Sequence, residues 1–464
     1  MEPGELAIVL HTHMPYVEGF GTWPFGEEWL WEAVAASYLP LLDVLEARDD
    51  PVALTLSLTP VLCDQLAHPG ALERCLAFLR EVRPESHARD AARLRARGEA
   101  APAAELDRSA AEYAAAAERL AAMLRAPGGL LGALGAHASW TSSASHAVLP
   151  LLATDASIAL QLRTGIASHR RRFGVWEGGL WLPECGHAPW LGPALEGAGV
   201  RATCVELTGR FGLGDPRHLR PLASAEGPVL WPIDRATIAR VWGAGGYPSR
   251  APYRDYHRYT PHRHRVWRID GRPYDHRAAL AQTRSDAGEF VAAVGERVAG
   301  GGVCVCALDT ELLGHWWYEG VDWLAAVLEQ ADARGLRLTT LDEALERHPP
   351  VTAPALGPHA TSWGEGGDLR TWSGPRVARF AWRARIAELA LTGLRERPSD
   401  RALRELLALQ ASDWAFVADR ELAGPYPEQR AAGHAAALAA ALDGDPGRAD
   451  PELRGLAPVL SGWP

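Results

Sequence analysis

Lysine is absent from this 464-residue sequence, so all 47 of its strongly basic side chains are arginine. Together with the abundance of Ala, Gly and Pro, this reads as GC-rich coding and not as a functional device. Positive charge is also outnumbered. The formal net charge is −10, which argues against a nucleic-acid or anionic-membrane partner. Cysteine is scarce: Cys63, Cys75, Cys185, Cys204, Cys304 and Cys306 form no C-x-x-C pair and mostly sit in apolar runs. That pattern fits buried free thiols in a reducing compartment. No apolar run approaches the roughly 20 residues a membrane span needs. Met1 leads through acid and glycine into a strand pattern, without the regions of a signal peptide. The expectation is a soluble, cytoplasmic protein, monomer or homodimer, with no membrane partner.

Phenylalanine and tyrosine are few, at 8 and 10, whereas tryptophan reaches 18. About half of the indoles fit core positions; the others cluster with Gly, Pro and acids. An indole offers a flat apolar face with a polar edge, a surface suited to the C–H faces of sugar rings. The remaining composition, 47% apolar and 22% charged, is ordinary for a globular chain. The length allows about two to four domains, or one large barrel with additions.

Short apolar runs alternate with helical patterns. "ELAIVLHTH" (5–13) reads as a strand and is followed by the helical "EEWLWEAVAASYLPLLDVLEA". Further strand candidates are "VALTLSLTPVL", "LGALGAHASW", "GGLWLPECG", "RATCVEL", "GPVLWPID" running on into "TIARVW", "GVCVCALD" and "LRLTTLDEA". Continuous apolar strands alternating with helices imply a parallel sheet covered by helices, and this many favour a closed β/α barrel. The fold class expected is α/β, with the barrel over residues 1–349. The Ala/Arg/Glu-rich stretch within 80–130 reads as an inserted helical hairpin. From about Pro349 onward, beginning with a linker-like "PPVTAPALGPHA", no strand pattern returns, and 350–464 reads as a C-terminal helical domain.

In such barrels chemistry collects at the C-terminal ends of strands, and the polar clusters fall there. "HTHMPYV" places His11 and His13 at the end of the first strand. Residues i and i+2 of a strand share a face, so both imidazoles enter the mouth; structural histidines are the plainer alternative, and a histidine pair is also a usual start for a metal site. "GGLWLPECGH" puts Glu184 just past a strand and a proline, where a helix-capping role is the plainer reading. "CALDTELLGHWWYEG" puts Asp309 and Glu311 at another strand end, beside His315, Trp316 and Trp317. Two acids so close in sequence divide their work, one reacting and the other orienting or capping. Glu184 and Asp309 are thus single acids from different strands, framed by tryptophans. Glycoside hydrolysis needs that arrangement: one carboxylate attacks the anomeric carbon while the other protonates the leaving oxygen. "SWGEGGDLRTW" (362–372) and residues 245–259 read as loops carrying aromatic platforms.

Together these segments resemble glycoside hydrolase family 57, and within it the α-1,4-glucan branching enzymes. The shared pieces are "HTHMPYV", "WPFGEEWLWEA", "WLPECG", "DTELLGHWW", "SWG" and "SDW", in the family's order and across nearly the whole chain. The resemblance implies a (β/α)7 barrel, a distorted TIM-like barrel, with a helical insertion and a helical C-terminal domain. It implies a retaining mechanism on an α-glucan with no metal or cofactor, Glu184 as nucleophile and Asp309 as general acid/base. It also implies that His11 and His13 hold the sugar at the cleaved bond, and that Trp29, Trp363 and Trp372 line the glucan groove. The helical domain is to contribute Asp413 and Trp414. His146, Trp242, Tyr247, His315 and Trp316 complete the implied substrate-binding set.

Some positions depart from the family pattern. The span 206–229 is short and lacks tyrosine, where branching enzymes carry a longer excursion with a tyrosine near the acceptor. An open acceptor side lets water compete, so hydrolysis by the same residues stands beside branching. Pro252 replaces a frequent tryptophan, and His187 a more usual tyrosine. Two other classes stand beside these: a metal-dependent carbohydrate deacetylase or mannosidase using His11, His13 and an acid, and a non-catalytic glucan binder.

Overall fold

The computed structural model describes residues 4–48, 51–443, 453 and 455–464. Its centre is a ring of seven parallel strands: Glu5–Thr12, Thr55–Leu58, Ala138–Ser142, Leu180–Trp181, Ala202–Val205, Val229–Pro232 and Val303–Asp309. The first pairs with both the second and the seventh, the second with the third, the third with the fourth, and the fifth with the sixth. Two thinner joints close the ring. Gly179 bridges to Ala202, and the Asp234 N–H donates to the Val305 carbonyl at 2.9 Å. Gly179 is glycine for a steric reason, since a Cβ there would lie 2.1 Å from Trp140 Nε1. The fold is therefore the distorted β/α barrel expected, with the helical additions described below.

The strands form because their residues are apolar on both faces, as a helix-covered parallel sheet requires. All eight residues of the first strand are buried, and the seventh is buried until Asp309. Register then fixes the chemistry: His11 stands level with Ser57 on one side and Asp309 on the other.

Three expectations give way. "TIARVW" does not continue the sixth strand; Arg235–Val241 is a helix, started by Asp234, whose side chain accepts from the Thr237 N–H at 2.9 Å. The apolar run near Leu131 is helical over Gly129–Gly135, and the third strand begins only at Ala138. Strand structure also returns after Pro349, because Val351–Thr352 pairs with the open edge of Leu222–Ala223.

Between the second and third strands lie the helices Arg83–Ala96 and Ala100–Arg125, packed against each other as a hairpin. The C-terminal helices Ala378–Thr392, Asp400–Leu409, Asp413–Asp419 and Tyr426–Leu442 build a core of their own. Leu403, Leu406 and Leu407 line one face of the second of these, and Tyr16, Val61, Ala144, Val148 and Leu160 of the barrel complete that core. Each fully buried leucine of this kind contributes about 1.5–3 kcal/mol relative to exposure. Shared burial thus seats the helical domain on the barrel, and it brings Ser412 and Asp413 to the ends of the strands.

Candidate active site

Glu184 follows the fourth strand through Pro183 and does not continue it. Its φ is 62° and that of Cys185 is 49°, left-handed values that cost a non-glycine residue about 1 kcal/mol or more. Six non-glycine residues among those described have such values, and His146 (φ 62°) is a third at this site. The turn presents the Glu184 carboxylate to two donors. Trp363 Nε1–H reaches Oε2 at 2.9 Å and the Ser412 hydroxyl reaches Oε1 at 3.0 Å.

Behind Glu184 lies a stack of imidazoles. His13 and His146 are parallel with centroids 3.8 Å apart, His11 lies 5.0 Å from His146, and Trp181 stacks on His11 at 4.9 Å. Hydrogen bonds fix their tautomers. Because Ser412 spends its proton on Glu184, it accepts from His146 Nδ1 at 2.8 Å. His146 is neutral, so its Nε2 accepts from His11 Nε2–H at 2.9 Å. Burial, and the charge of His13, hold His11 and His146 well below the ordinary imidazole range. His13 differs. Burial works against its charge, but Asp413, Glu311 and Glu184 outweigh that and raise it. Its Nε2–H donates to Asp413 at 2.9 Å and its Nδ1–H to Thr59 at 3.2 Å.

Asp309 ends the seventh strand with its side chain open to solvent. No hydrogen bond reaches its carboxyl among the described residues. Even so, the protein enclosing it, then the charges of Glu184 and Glu311, push it well above the usual carboxylate range. Burial also raises Glu184, to about 7, partly offset by the Trp363 and Ser412 hydrogen bonds. Two coupled acids with unequal donors ionise in order. Glu184, holding two donors, loses its proton first, and Asp309 keeps its own. Glu311 is tied up structurally: Tyr38 O–H donates to it at 2.6 Å and the His13 N–H at 3.1 Å, which fixes the loop after the first strand.

The structure brings together His11, His13, His146, Glu184, Trp363 and Asp413. Trp29 borders them, half-buried between the two cores and edge-on to Phe25 and Tyr426. Trp316 is 37% exposed in the turn after Asp309, and His315 beside it is half-buried. Three implied sugar contacts are core residues instead. Trp372 and Trp414 are 2% and 1% exposed and pack inside the helical domain, with the Trp414 N–H given to the Ala408 carbonyl at 2.7 Å. Tyr247 is buried against Trp323. Such burial leaves no ring face for a sugar. Trp242 is 55% exposed just past the helix Arg235–Val241. Ser412 and Thr59 were not legible as site residues, because each acts through a partner distant in sequence.

His13, His146 and Asp413 place one ligand-type atom each within 4.8 Å of one another. The two rings are stacked, 18° from parallel, so their in-plane lone pairs do not converge on one point. Every nitrogen concerned is already in a hydrogen bond.

The family model for glycosyl hydrolase family 57 matches residues 139–356, and that for the C-terminal domain of 1,4-alpha-glucan branching enzyme matches 378–445. The chain is 32% identical to the probable 1,4-alpha-glucan branching enzyme of Mycobacterium tuberculosis, over 99% of this chain and 95% of that one. The chain belongs to glycosyl hydrolase family 57. A second family-57 relative, the 1,4-alpha-glucan branching enzyme of Thermococcus kodakarensis, is 31% identical over 92% of this chain and 71% of its own length. Among solved structures, the branching enzyme of Pyrococcus horikoshii superposes with a TM-score of 0.83 at 30% identity, covering 93% of this chain and 88% of that one. The alpha-amylase AmyC of Thermotoga maritima shares the fold, with a TM-score of 0.77 at 23% identity, covering 97% and 95%.

Proposed function

We propose that this protein is a retaining α-glucan branching enzyme. It cleaves an α-1,4 bond and passes the released chain to a 6-hydroxyl. The observation that carries the reading is the unequal pair of carboxylates: Glu184 with two donors and Asp309 with none among the described residues, the charge of Glu184 helping to raise Asp309. In the first half-reaction Glu184 attacks the anomeric carbon as Asp309 gives its proton to the departing O4. In the second, the 6-hydroxyl of another chain attacks the same carbon, its proton passes to Asp309, and the ester to Glu184 breaks. His13, held charged by Asp413, offers a cation beside the reacting sugar. Two carboxylates suffice for this displacement, and no step asks for a metal.

The relatives named as branching enzymes cover nearly the whole of this chain and support the transfer half of the reading. The short span 206–229 favours the second reading, hydrolysis by the same pair. Its Phe211 is covered by Arg217, 4.3 Å above the ring. Incubation with amylose followed by a proton-NMR count of α-1,6 linkages decides between them. New branch points are expected; new reducing ends alone would make the protein a hydrolase.

A further inference from the structure

Trp363, whose indole N–H serves Glu184, stands on a stretch that is neither helix nor strand, between the bridge of Thr361 to His187 and the short turn Glu365–Gly367. A ring on such a stretch keeps one place only if its backbone is tied down. Both backbone polar groups of Trp363 are. The N–H donates to the Glu184 carbonyl at 3.0 Å, and the carbonyl accepts from Arg235 Nη2–H at 2.8 Å. The first tie runs within the Trp363–Glu184 pair itself. The second reaches a different part of the barrel.

Arg235 opens the helix Arg235–Val241 beyond the sixth strand, and Glu206 is the first residue past the fifth. Those strands pair, with Val205 level with Pro232, which brings the two side chains together at one end of the barrel. Arg235 Nε lies 3.2 Å from Glu206 Oε2, and Glu206 Oε1 accepts from the Thr208 N–H at 2.5 Å. Glu206 is buried and Arg235 half-buried. Burial pushes the Cys185 thiol up, Cys204 and Glu206 add to that, and Arg235 opposes it, which sets the ion pair close to the turn that carries Glu184. A buried ion pair is a weak source of stability, and its best-attested use is to fix one arrangement. A planar guanidinium suits that use, since one N–H meets a carboxylate while another reaches a carbonyl at a fixed angle.

We propose that Arg235, aimed by Glu206, is a positioning residue that acts through Trp363 to hold the indole N–H on Glu184 Oε2. The inference rests on the reading of Glu184 as the nucleophile. The contacts run from Glu206 to Arg235, to the Trp363 carbonyl, and from the indole N–H to the Glu184 carboxylate; only the last of these groups reacts. Without Arg235 the Trp363 carbonyl loses its donor and the indole its fixed place. The hydrogen bond to Oε2 then weakens, and a carboxylate that loses a donor holds its proton more tightly. Attack needs the ionised form, so the loss shows both as slower turnover and as an acid limb displaced to higher pH.

The test is a double-mutant cycle over Arg235→Met and Trp363→Phe, read from pH–kcat/KM profiles for cleavage of amylose. Arg235→Met alone is expected to move the acid limb up by about half a pH unit and to lower kcat about tenfold, with KM within about twofold of wild type. Trp363→Phe has no indole N–H left to position. Adding Arg235→Met to it is therefore expected to leave the limb in place and to lower kcat by less than about twofold. The position of the limb does not depend on the fraction of active molecules, so partial unfolding does not distort it. Glu206→Gln takes the place of Arg235→Met in the cycle if that variant fails to fold. A limb that stays put in Arg235→Met, or that moves as far in the Trp363→Phe background as in the wild type, would overturn the positioning role and leave the nucleophile standing. An unaffected rate in Glu184→Gln would overturn the nucleophile itself, and this inference with it.

Discussion

The two sides of the cleft are built differently. On the Glu184 side the polar atoms are committed: both carboxylate oxygens receive donors, and the histidines behind are linked to Ser412, Asp413 and Thr59. On the Asp309 side the carboxyl stands open and Trp316 is partly exposed. The committed side suits a nucleophile that must keep one position and one charge through two half-reactions. The open side suits an acid that must meet a leaving oxygen, a departing chain and then a new acceptor. The helical C-terminal domain accounts for much of the difference, since it supplies Trp363's neighbours, Ser412 and Asp413 to one side only.

The comparison can be broken most decisively at Glu184, the proposed nucleophile. Glu184→Gln keeps the hydrogen-bonding shape and removes the charge, and turnover of amylose is expected to fall at least about 10⁴-fold. An unaffected rate would end the assignment. Asp309→Asn should lose about 10²–10⁴-fold on amylose. It should recover much of that in the first half-reaction with an α-glucosyl fluoride, whose leaving group needs no proton; equal losses on both substrates would contradict the division of labour. Trp363→Phe deletes one donor to Glu184 while keeping a ring, and a charged hydrogen bond of about 1.5–3 kcal/mol predicts a loss of about 10–150-fold in kcat. A matching loss of thermal stability with kcat unchanged would make Trp363 merely structural.

The smallest effect concerns pH. As the proposed nucleophile, Glu184 must be ionised to attack, and burial pushes it up to about 7, so the rate is expected to fall as pH drops through about 7. As the proposed general acid, Asp309 must be protonated, and it is held well above its usual range, so the alkaline limb is expected to belong to it. Ser412→Ala removes a donor that favours the ionised form of Glu184. The acid limb of the pH–kcat/KM profile should therefore move to higher pH, and a limb that stays in place would detach Ser412 from the nucleophile.

Much of this was legible in the chain. The first and seventh strands announce themselves as β-branched, cysteine-rich or leucine-rich apolar runs that end in chemistry, and the two acids follow from their place at those ends. The hairpin is plain from its alanine-rich helical composition. Other features were not. Trp372, Trp414 and Tyr247 look like sugar platforms because an aromatic in a polar segment gives no sign of which side it presents; packing of the helical domain and of the barrel buries all three. "TIARVW" has a strand's composition, yet Asp234 caps a helix there, and a cap outweighs a short β-branched run.

The sequence by itself determined the alternation of strands and helices, the acids at the strand ends and the wealth of indole around them, because these follow from local periodicity and residue type. Only the tertiary structure decided which acid keeps its proton, which histidine is charged, and which tryptophans remain open. Those properties depend on neighbours far away along the chain: Ser412 beside Glu184, Asp413 beside His13, Trp363 hydrogen-bonded to Glu184. A carboxylate's proton affinity is set by enclosure and by nearby donors and charges, and these exist only once the barrel has closed and the helices have docked on it.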